Sequence, residues 1–412
     1  MQLFESKSVE ERVILVGIQD SREDEVKSLR ELEELVDTAG AVTVGKVIQK
    51  RESIHPASYV GPGKLEELRE LLYTLDATGI VCDDELSPAQ YAVLEEELEC
   101  KVMDRTLVIL DIFAGRAATK EGKLQVELAQ LKYRAARLVG LRRSLSRLGG
   151  GIGTRGPGEK KLEVDRRVIH GRISQLKREL EEVHRHQELL RGRRIKGNQK
   201  VAAIVGYTNA GKSTLLNALT GSQVMEEDKL FATLDPTTRM LELPGGQQML
   251  LTDTVGFIRK LPHHLVEAFK STLEEARYAD VIIHVVDGSN PQMDEQMDVV
   301  YETLRQLGVE GKKMITLFNK QDQVDCPEVL RDERADVIIR TSAKTGLGLD
   351  KLKEELAHIL QEEQIYIERT YGYDRAGAIS LIRTRGQILE EEYLPEGIAV
   401  KAYVPVEIFG KV

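Results

Sequence analysis

Cysteine and long apolar runs are both scarce in this chain of 412 residues. Its three cysteines, Cys82, Cys100 and Cys326, share no metal-ligand spacing, which argues against a cysteine-based metal module and favours reduced, packed thiols. No segment approaches ~18 uninterrupted apolar residues, and Met1–Glu10 lacks a basic-then-apolar signal pattern. These absences predict a cytoplasmic protein without a membrane span.

Charge is unevenly distributed along the chain. A hydrophobic content of 41% and a charged content of 31% are typical of globular proteins, and the length predicts two to four domains. The net charge is −10, yet Gly115–Lys200 has 23 Lys and Arg against 9 Asp and Glu, a surplus of +14 that leaves −24 elsewhere. This asymmetry predicts a polyanion-binding arm on an acidic body. The alternative is a set of basic helices that are merely solvated.

A glycine-rich stretch follows the apolar run Val201–Val205 and precedes a helical pattern. It has the GxxxxGK[ST] spacing of a phosphate-binding loop, in which glycines let backbone N–H groups surround a phosphate. Lys212 would reach the β- and γ-phosphates, and the Ser213 hydroxyl would ligate Mg²⁺. The predicted phosphate-binding residues are Gly206, Tyr207, Thr208, Asn209, Ala210, Gly211, Lys212, Ser213 and Thr214.

Three later elements, each at the end of an apolar run, predict that the nucleotide is GTP. Asp253–Gly256 is a DxxG element, whose Asp would hold Mg²⁺ through water and whose Gly N–H would sense the γ-phosphate. Asn319–Asp322 is an NKxD element, whose Asp would accept from N1–H and the exocyclic amine of guanine. Thr341–Lys344 would touch guanine O6. The predicted contacts are Asp253, Thr254, Val255, Gly256, Asn319, Lys320, Gln321, Asp322, Ser342, Ala343 and Lys344.

The first switch needs a threonine that contributes to Mg²⁺ and senses the γ-phosphate. Phe231–Arg239 offers Thr233, Thr237 and Thr238, and the sequence alone does not choose among them, although the latter two follow a turn signal and favour turn hydroxyls. The residues of this segment predicted to line the nucleotide site are Phe231, Ala232, Thr233, Leu234 and Asp235.

The residue after the DxxG element is Phe257, where Ras-like proteins have a water-orienting glutamine. An apolar side chain cannot orient water, so we expect a low intrinsic rate and dependence on switch I, a monovalent cation or a partner. Asn209 is either a K⁺-binding residue or a local turn residue.

The remaining chain predicts an α/β multidomain protein. Alternating strands and helices over about Met1–Ile112 predict a parallel α/β domain. Within it, Gly61–Lys64 is either a tight turn before a helix or a second nucleotide site. A polar linker is predicted at Arg191–Lys200, and Gln364–Val412 predicts a small α+β domain. The predicted division is residues 1–114, 115–196, 201–361 (a Ras-like P-loop domain) and 364–412.

Heptad spacing runs through two helical patterns between Leu124 and Leu190, and Gly149–Gly158 interrupts it. The pattern predicts an antiparallel coiled-coil hairpin. The tip of this hairpin has basic residues but no aromatic residues for stacking on bases, so it is expected to recognise the phosphates and the shape of RNA rather than its base sequence. The alternative is a flexible loop with solubilising charge. The candidate RNA-binding residues are Arg142, Arg143, Arg147, Arg155, Lys160, Lys161, Arg166 and Arg167.

Together these features resemble the HflX family of ribosome-associated GTPases, within the Obg-HflX group of translation-factor-like P-loop proteins. The resemblance spans nearly the whole chain and is most specific at Arg105–Ala118, Glu121–Leu131 and Gly150–Lys160, with further matches at Phe231–Thr238 and Asp253–Phe257.

The resemblance implies a division of roles. It aligns the first-switch threonine with Thr233, which implies Mg²⁺ ligation by Ser213 and Thr233, with Lys212, Thr233 and Gly256 as the catalytic set. It further implies binding of the large ribosomal subunit and GTP-dependent splitting of stalled or hibernating ribosomes under heat or antibiotic stress. ATP binding by the N-terminal domain is also reported for the family, but the sequence contains no adequate motif for it.

Two other functions compete with ribosome splitting. One is a GTP-gated assembly factor for the large subunit. The other is an accessory to an RNA-modifying enzyme, which no catalytic cysteine or metal cluster near the basic arm supports. We expect a monomer, because the hairpin pairs with itself.

Overall fold

The computed structural model describes residues 10–19, 25–148, 157–196, 199–221, 230–262, 275–324 and 330–412. Contacts divide the chain into two compact units, Met1–Glu181 with Lys260–Phe269, and Glu182–Arg259 with Lys270–Val412. None of the helices in the described ranges combines the length and apolar content that a membrane crossing requires.

The first unit contains a four-stranded parallel sheet in the order β2-β1-β3-β4. The central strands are buried along almost their whole length, as expected for a parallel sheet covered on both faces. This confirms the predicted parallel α/β fold. Its elements are β1 (Arg12–Gln19), α1 (Glu25–Thr38), β2 (Val42–Lys50), α2 (Pro62–Thr74), β3 (Gly79–Cys82), α3 (Pro88–Leu98), β4 (Lys101–Asp104) and α4 (Arg105–Arg116).

The stretch Gly61–Lys64 has the contacts of a helix start. Gly61 is the N-cap residue of α2, and its N–H donates to Gln49 Oε1 at 2.8 Å. Lys64 Nζ lies 2.7 Å from Glu67 Oε2. These contacts favour the tight-turn interpretation, and a second nucleotide site here stays a prediction.

Asp104, at the end of β4, is a buried carboxylate that joins three elements. Its Oδ1 accepts from Leu107 N at 2.9 Å and from the Tyr133 hydroxyl at 2.6 Å. Its Oδ2 accepts from Leu86 N and from Arg137 Nη2, each at 3.0 Å. The carboxylate therefore caps α4 and also fixes the next helix, which carries Tyr133 and Arg137.

That next helix is α5 (Lys120–Leu148), and α6 (Pro157–Lys196) follows it. Arg172 of α6 donates to both carboxylate oxygens of Glu127 on α5, at 2.7 and 2.9 Å. Residues 149–156, where the sequence predicts the turn, lie outside the described residues. The predicted linker Arg191–Lys200 is wrong in its first part, because α6 stays helical to Lys196. Buried heptad positions are Leu124, Leu128, Ile173, Leu176 and Leu180.

The second unit contains a six-stranded sheet in the order β10-β9-β8-β5-β7-β6, parallel except for β6, which is antiparallel to β7. The four predicted nucleotide-binding stretches follow the carboxyl ends of β5, β7, β9 and β10, where ligands bind in open parallel sheets. The elements are β5 (Val201–Gly206), α7 (Lys212–Thr220), β6 (Thr237–Glu242), β7 (Gln248–Asp253), β8 (Val281–Asp287), α8 (Met293–Gln306), β9 (Lys313–Asn319), β10 (Val337–Arg340) and α9 (Leu349–Glu363).

A three-stranded antiparallel sheet in the order β11-β13-β12 ends the chain and confirms the predicted small α+β fold. Buried aliphatic residues of β11 and β13 pack with those of α10 to form its core. The elements are β11 (Gln364–Tyr371), α10 (Ala376–Arg385), β12 (Gln387–Leu394), β13 (Gly397–Pro405) and α11 (Val406–Phe409).

Candidate functional site

The loop between β5 and α7 requires glycine at both of its ends. Gly211 has φ 93°, in the left-handed region, and a Cβ there would lie 2.3 Å from Asn319 Nδ2. A Cβ at Gly206 would lie 2.2 Å from Val285 O. At these two positions the loop lies too close to the Val285 carbonyl and to the Asn319 side chain to carry a Cβ. Its backbone N–H groups lie at the start of α7, where the helix dipole favours anions.

Lys212 and Asp253 are both buried behind this loop. Lys212 Nζ donates to Tyr207 O at 2.7 Å, and burial lowers the pKa of its ammonium group to about 8, although Asp253 opposes the shift. Burial likewise raises the pKa of the Asp253 carboxyl, although the charge of Lys212 and the hydrogen bond from Ser213 act to lower it. Two buried groups of opposite charge thus face the place where a phosphate and its counterion would lie.

Three oxygen groups converge at the start of α7. Ser213 Oγ lies 2.7 Å from Thr233 Oγ1 and donates to Asp253 Oδ2 at 2.7 Å, while Asp253 Oδ1 is buried and makes no hydrogen bond within the described residues. Neighbouring ligands of an octahedral Mg²⁺, with bonds of about 2.1 Å, lie about 3 Å apart. Two hydroxyls at that spacing and a carboxylate with an unused oxygen fit Mg²⁺.

Switch II, the segment from Asp253 to Arg259 that begins with the DxxG element, lies along the phosphate-binding loop. Phe257 N donates to Gly206 O at 3.1 Å, and Thr208 N donates to Phe257 O at 2.8 Å. A Cβ on Gly256 would lie 2.9 Å from the backbone Cα of Thr208 and 2.9 Å from Lys212 Nζ, so this close approach requires glycine. The Phe257 side chain itself is buried, with 2% of its surface exposed, and cannot orient a water molecule in the site.

A cavity opens between these segments. It is lined by the phosphate-binding loop, by Phe231–Thr233 of switch I and by Gly256 of switch II. Of the three candidate threonines, the structure brings Thr233 to Ser213 and the cavity. The prediction of turn hydroxyls is wrong, because Thr237 begins β6 and Thr238 Oγ1 lies 3.0 Å from Thr252 Oγ1 within the β6–β7 pair.

The predicted base-binding residues also come together. Asn319 is buried; its Nδ2 donates to Ala210 O at 2.9 Å and its Oδ1 accepts from Ala343 N at 2.9 Å. The Ser342 hydroxyl donates to Asp322 Oδ1 at 2.6 Å and lowers the pKa of that carboxyl. Asn319 therefore joins the phosphate-binding loop to the loop after β10, and the Ser342 hydrogen bond favours the ionised form of Asp322.

Lys320 adopts φ 60°, and its ammonium lies 2.8 Å from Asp287 Oδ2. Gln321 N donates to Thr341 O at 3.1 Å, and Lys344 is exposed. The other predicted nucleotide contacts lie in or beside the switch segments: Leu234, Thr254 and Val255 are buried, and Asp235 is half-buried.

Sequence reasoning missed the contacts that hold the switch II main chain. The Thr254 hydroxyl donates to Ile204 O at 2.8 Å, and Arg259 N donates to the Tyr207 hydroxyl at 2.9 Å. The motif match includes Tyr207 but gives its side chain no task, so only the fold reveals where its hydroxyl lies.

The candidate RNA-binding residues are described unevenly. Arg166 and Arg167 are exposed on α6. Arg142, Arg143 and Arg147 lie in α5, and Lys160 and Lys161 lie in α6. Arg155 lies outside the described residues, and the RNA-binding role of the whole set stays a prediction.

Three families match successive parts of the chain. Residues 26–114 match one described as "GTP-binding GTPase N-terminal", residues 116–194 one described as "GTP-binding GTPase Middle Region", and residues 201–320 one described as "50S ribosome-binding GTPase".

Whole-chain relatives are similar over most of their length. A protein of Lacrimispora saccharolytica named GTPase HflX is 67% identical over 99% of this chain and 97% of its own. The Escherichia coli protein of the same name is 42% identical over 88% of this chain and 85% of its own. A Sulfolobus solfataricus GTP-binding protein solved with GDP is 25% identical over 85% of this chain and 99% of its own, with a TM-score of 0.45.

Proposed function

The chain belongs to the HflX family of GTPases, and from that membership we propose that it binds the large ribosomal subunit and dissociates stalled or hibernating ribosomes in a GTP-dependent way. As a member of this family it is a GTP-hydrolysing P-loop enzyme. The observation that carries the ribosomal part is the match of residues 201–320 to a family described as a 50S ribosome-binding GTPase.

The charge distribution supports a partner made of RNA. Gly115–Lys200 carries a surplus of +14 on a chain of net charge −10, and the exposed Arg166 and Arg167 belong to this segment. Lys and Arg that neutralise RNA phosphates release counterions, so such a segment binds ribosomal RNA without reading bases. In this proposal the protein works as a cytoplasmic monomer that associates with ribosomes.

The proposed nucleotide arrangement follows from the cavity. Lys212 contacts the β- and γ-phosphates, the Gly256 N–H senses the γ-phosphate, and Asp322 selects guanine. Ser213 and Thr233 ligate Mg²⁺, and Asp253 holds one of its waters; the ion, when bound, neutralises charge on the phosphate oxygens. Because Thr233 belongs to switch I and Gly256 to switch II, the γ-phosphate orders both segments.

Slow hydrolysis without a partner is part of the same proposal. Phe257 replaces the glutamine of Ras-like proteins and is buried. The site therefore lacks a side chain at that position to orient the attacking water, and ribosomal contact supplies the missing geometry. Purified large subunits should raise the rate of hydrolysis; an unchanged rate in their presence would contradict this part.

K⁺ binding at Asn209 is a separate proposal. Asn209 lines the cavity and adopts φ 61°, in the left-handed region. A monovalent cation there would add positive charge where the missing glutamine leaves catalysis weak. Hydrolysis should be faster in KCl than in NaCl of equal concentration, and equal rates in both salts, with and without ribosomes, would refute K⁺ binding.

Splitting and assembly are separated by one experiment. With a non-hydrolysable GTP analogue, sucrose gradients should show 70S particles converting to subunits. Co-sedimentation with mature large subunits without loss of 70S particles would instead support a GTP-gated assembly factor. If the protein bound ribosomes in neither its GTP nor its GDP form, that result would contradict both functions.

A further inference from the structure

The main chain of switch II is fastened to the phosphate-binding loop by a series of hydrogen bonds. The parallel pairing of β5 with β7 ends at Ile204 and Asp253, and the backbone bridge between Tyr207 and Phe257 extends it. Beyond Thr208 the loop turns to surround the phosphate site. The next N–H of switch II on this edge, that of Arg259, has an acceptor outside the main chain of the loop.

A side chain supplies that acceptor. The Tyr207 hydroxyl accepts a hydrogen bond from Arg259 N at 2.9 Å, and the Tyr207 carbonyl accepts from Lys212 Nζ at 2.7 Å. One residue thus contacts the catalytic lysine through its backbone and switch II through its ring. Its side chain is only 4% exposed, and it is not among the residues that line the cavity.

We propose that the hydroxyl of Tyr207 is a positioning group for GTP hydrolysis, which holds the switch II main chain so that Gly256 stays beside Lys212. A Cβ added to Gly256 would lie 2.9 Å from both the Thr208 Cα and Lys212 Nζ, so the Gly256 backbone packs directly against the phosphate-binding loop. Because Phe257 is buried and offers no polar group, the placement of the main chain determines what switch II contributes. This proposal concerns the hydrolytic reaction itself and is independent of the ribosomal partner.

The variant Tyr207→Phe removes the hydroxyl and retains the buried ring. Arg259 N–H then loses its hydroxyl acceptor, while the two Phe257 bonds and the Thr254 bond to Ile204 O remain. We expect the single-turnover rate with Mg²⁺ to fall about three- to tenfold, as for the loss of one neutral hydrogen bond. The affinity for GTP should change less than twofold, because the hydroxyl does not face the cavity.

The matched control is Tyr301→Phe. The Tyr301 hydroxyl donates to Asp332 at 2.5 Å in the same unit, away from the nucleotide cavity. We expect this variant to hydrolyse GTP at the rate of the unmodified protein. Hydrogen exchange on the analogue-bound protein gives a second readout, since Tyr207→Phe should reduce amide protection at Phe257–Lys260, whereas Tyr301→Phe should not.

Three results would overturn the proposal. One is an unchanged rate for Tyr207→Phe. Another is a fall in rate matched by an equal loss of GTP affinity, which would assign the hydroxyl to nucleotide binding. The third is unchanged amide protection at Phe257–Lys260, which would show that the hydroxyl does not hold switch II.

Discussion

Replacing Asn319 by Ala tests whether the phosphate end and the base end of the site are held together by one side chain. The change removes two buried hydrogen bonds, each of 2.9 Å, and leaves the carbonyl of Ala210 and the N–H of Ala343 without that partner. Each orphaned group costs about 1–3 kcal/mol, so we expect a total of about 2–4 kcal/mol once water enters the vacated space.

That cost should appear in nucleotide affinity, because binding must restore the arrangement that the side chain maintains. At about 1.4 kcal/mol per factor of ten, we expect the affinity for fluorescent GDP to fall about 30- to 1000-fold. Asn290→Ala is the control: the Asn290 side chain accepts a hydrogen bond from the half-buried Gln292 N at 2.8 Å, and its loss should change the GDP affinity less than threefold. An Asn319→Ala affinity within threefold of the unmodified protein would refute the reasoning.

Three further predictions concern specificity, charge and pH. Asp322→Asn should shift preference from guanine toward xanthine nucleotides, measured by competition with fluorescent GDP; retained discrimination against xanthine would contradict the base-binding role. Arg166→Ala with Arg167→Ala should weaken ribosome binding and reduce its salt dependence without changing GDP affinity, and an unchanged salt slope would remove these residues from RNA contact. Burial lowers the pKa of His284 to about 4, so the unfolded chain binds more protons as the pH falls from about 6.5 to 4, and the folded state loses up to about 3 kcal/mol. His284→Gln should therefore lose less thermal stability than the unmodified protein between pH 7 and 5, and parallel losses would refute the assignment.

The nucleotide site was predictable because its chemistry is carried by short, contiguous motifs. Lys212 and Asp322 stand at fixed spacings beside glycines and apolar strands, and the fold then brings the strand ends together. Thr237 and Thr238 were mistaken for turn residues, because the sequence does not show that they pair with β7. The contact between Tyr207 and Arg259 joins positions 52 residues apart, and no local pattern encodes such a distance.

The linker predicted at Arg191–Lys200 overlaps the last residues of α6 for a different reason. Arg191–Lys200 is polar and contains two glycines, which is typical of a linker, yet α6 continues to Lys196. Glycine costs a helix only about 1 kcal/mol, and the 40-residue helix tolerates one at Gly192. Composition marks a weak point in a helix but does not locate its end.

The four bonds to Asp104 have a mechanical consequence. One buried carboxylate accepts hydrogen bonds from the start of α4 and from Tyr133 and Arg137, which lie on successive turns of α5. The Arg137 guanidinium also stacks on the ring of Tyr91 on α3, 4.0 Å from its centroid. The first five turns of α5, as far as Arg137, are therefore anchored to the N-terminal sheet. A bend in this long helix is therefore expected beyond Arg137 rather than at the short connection after α4.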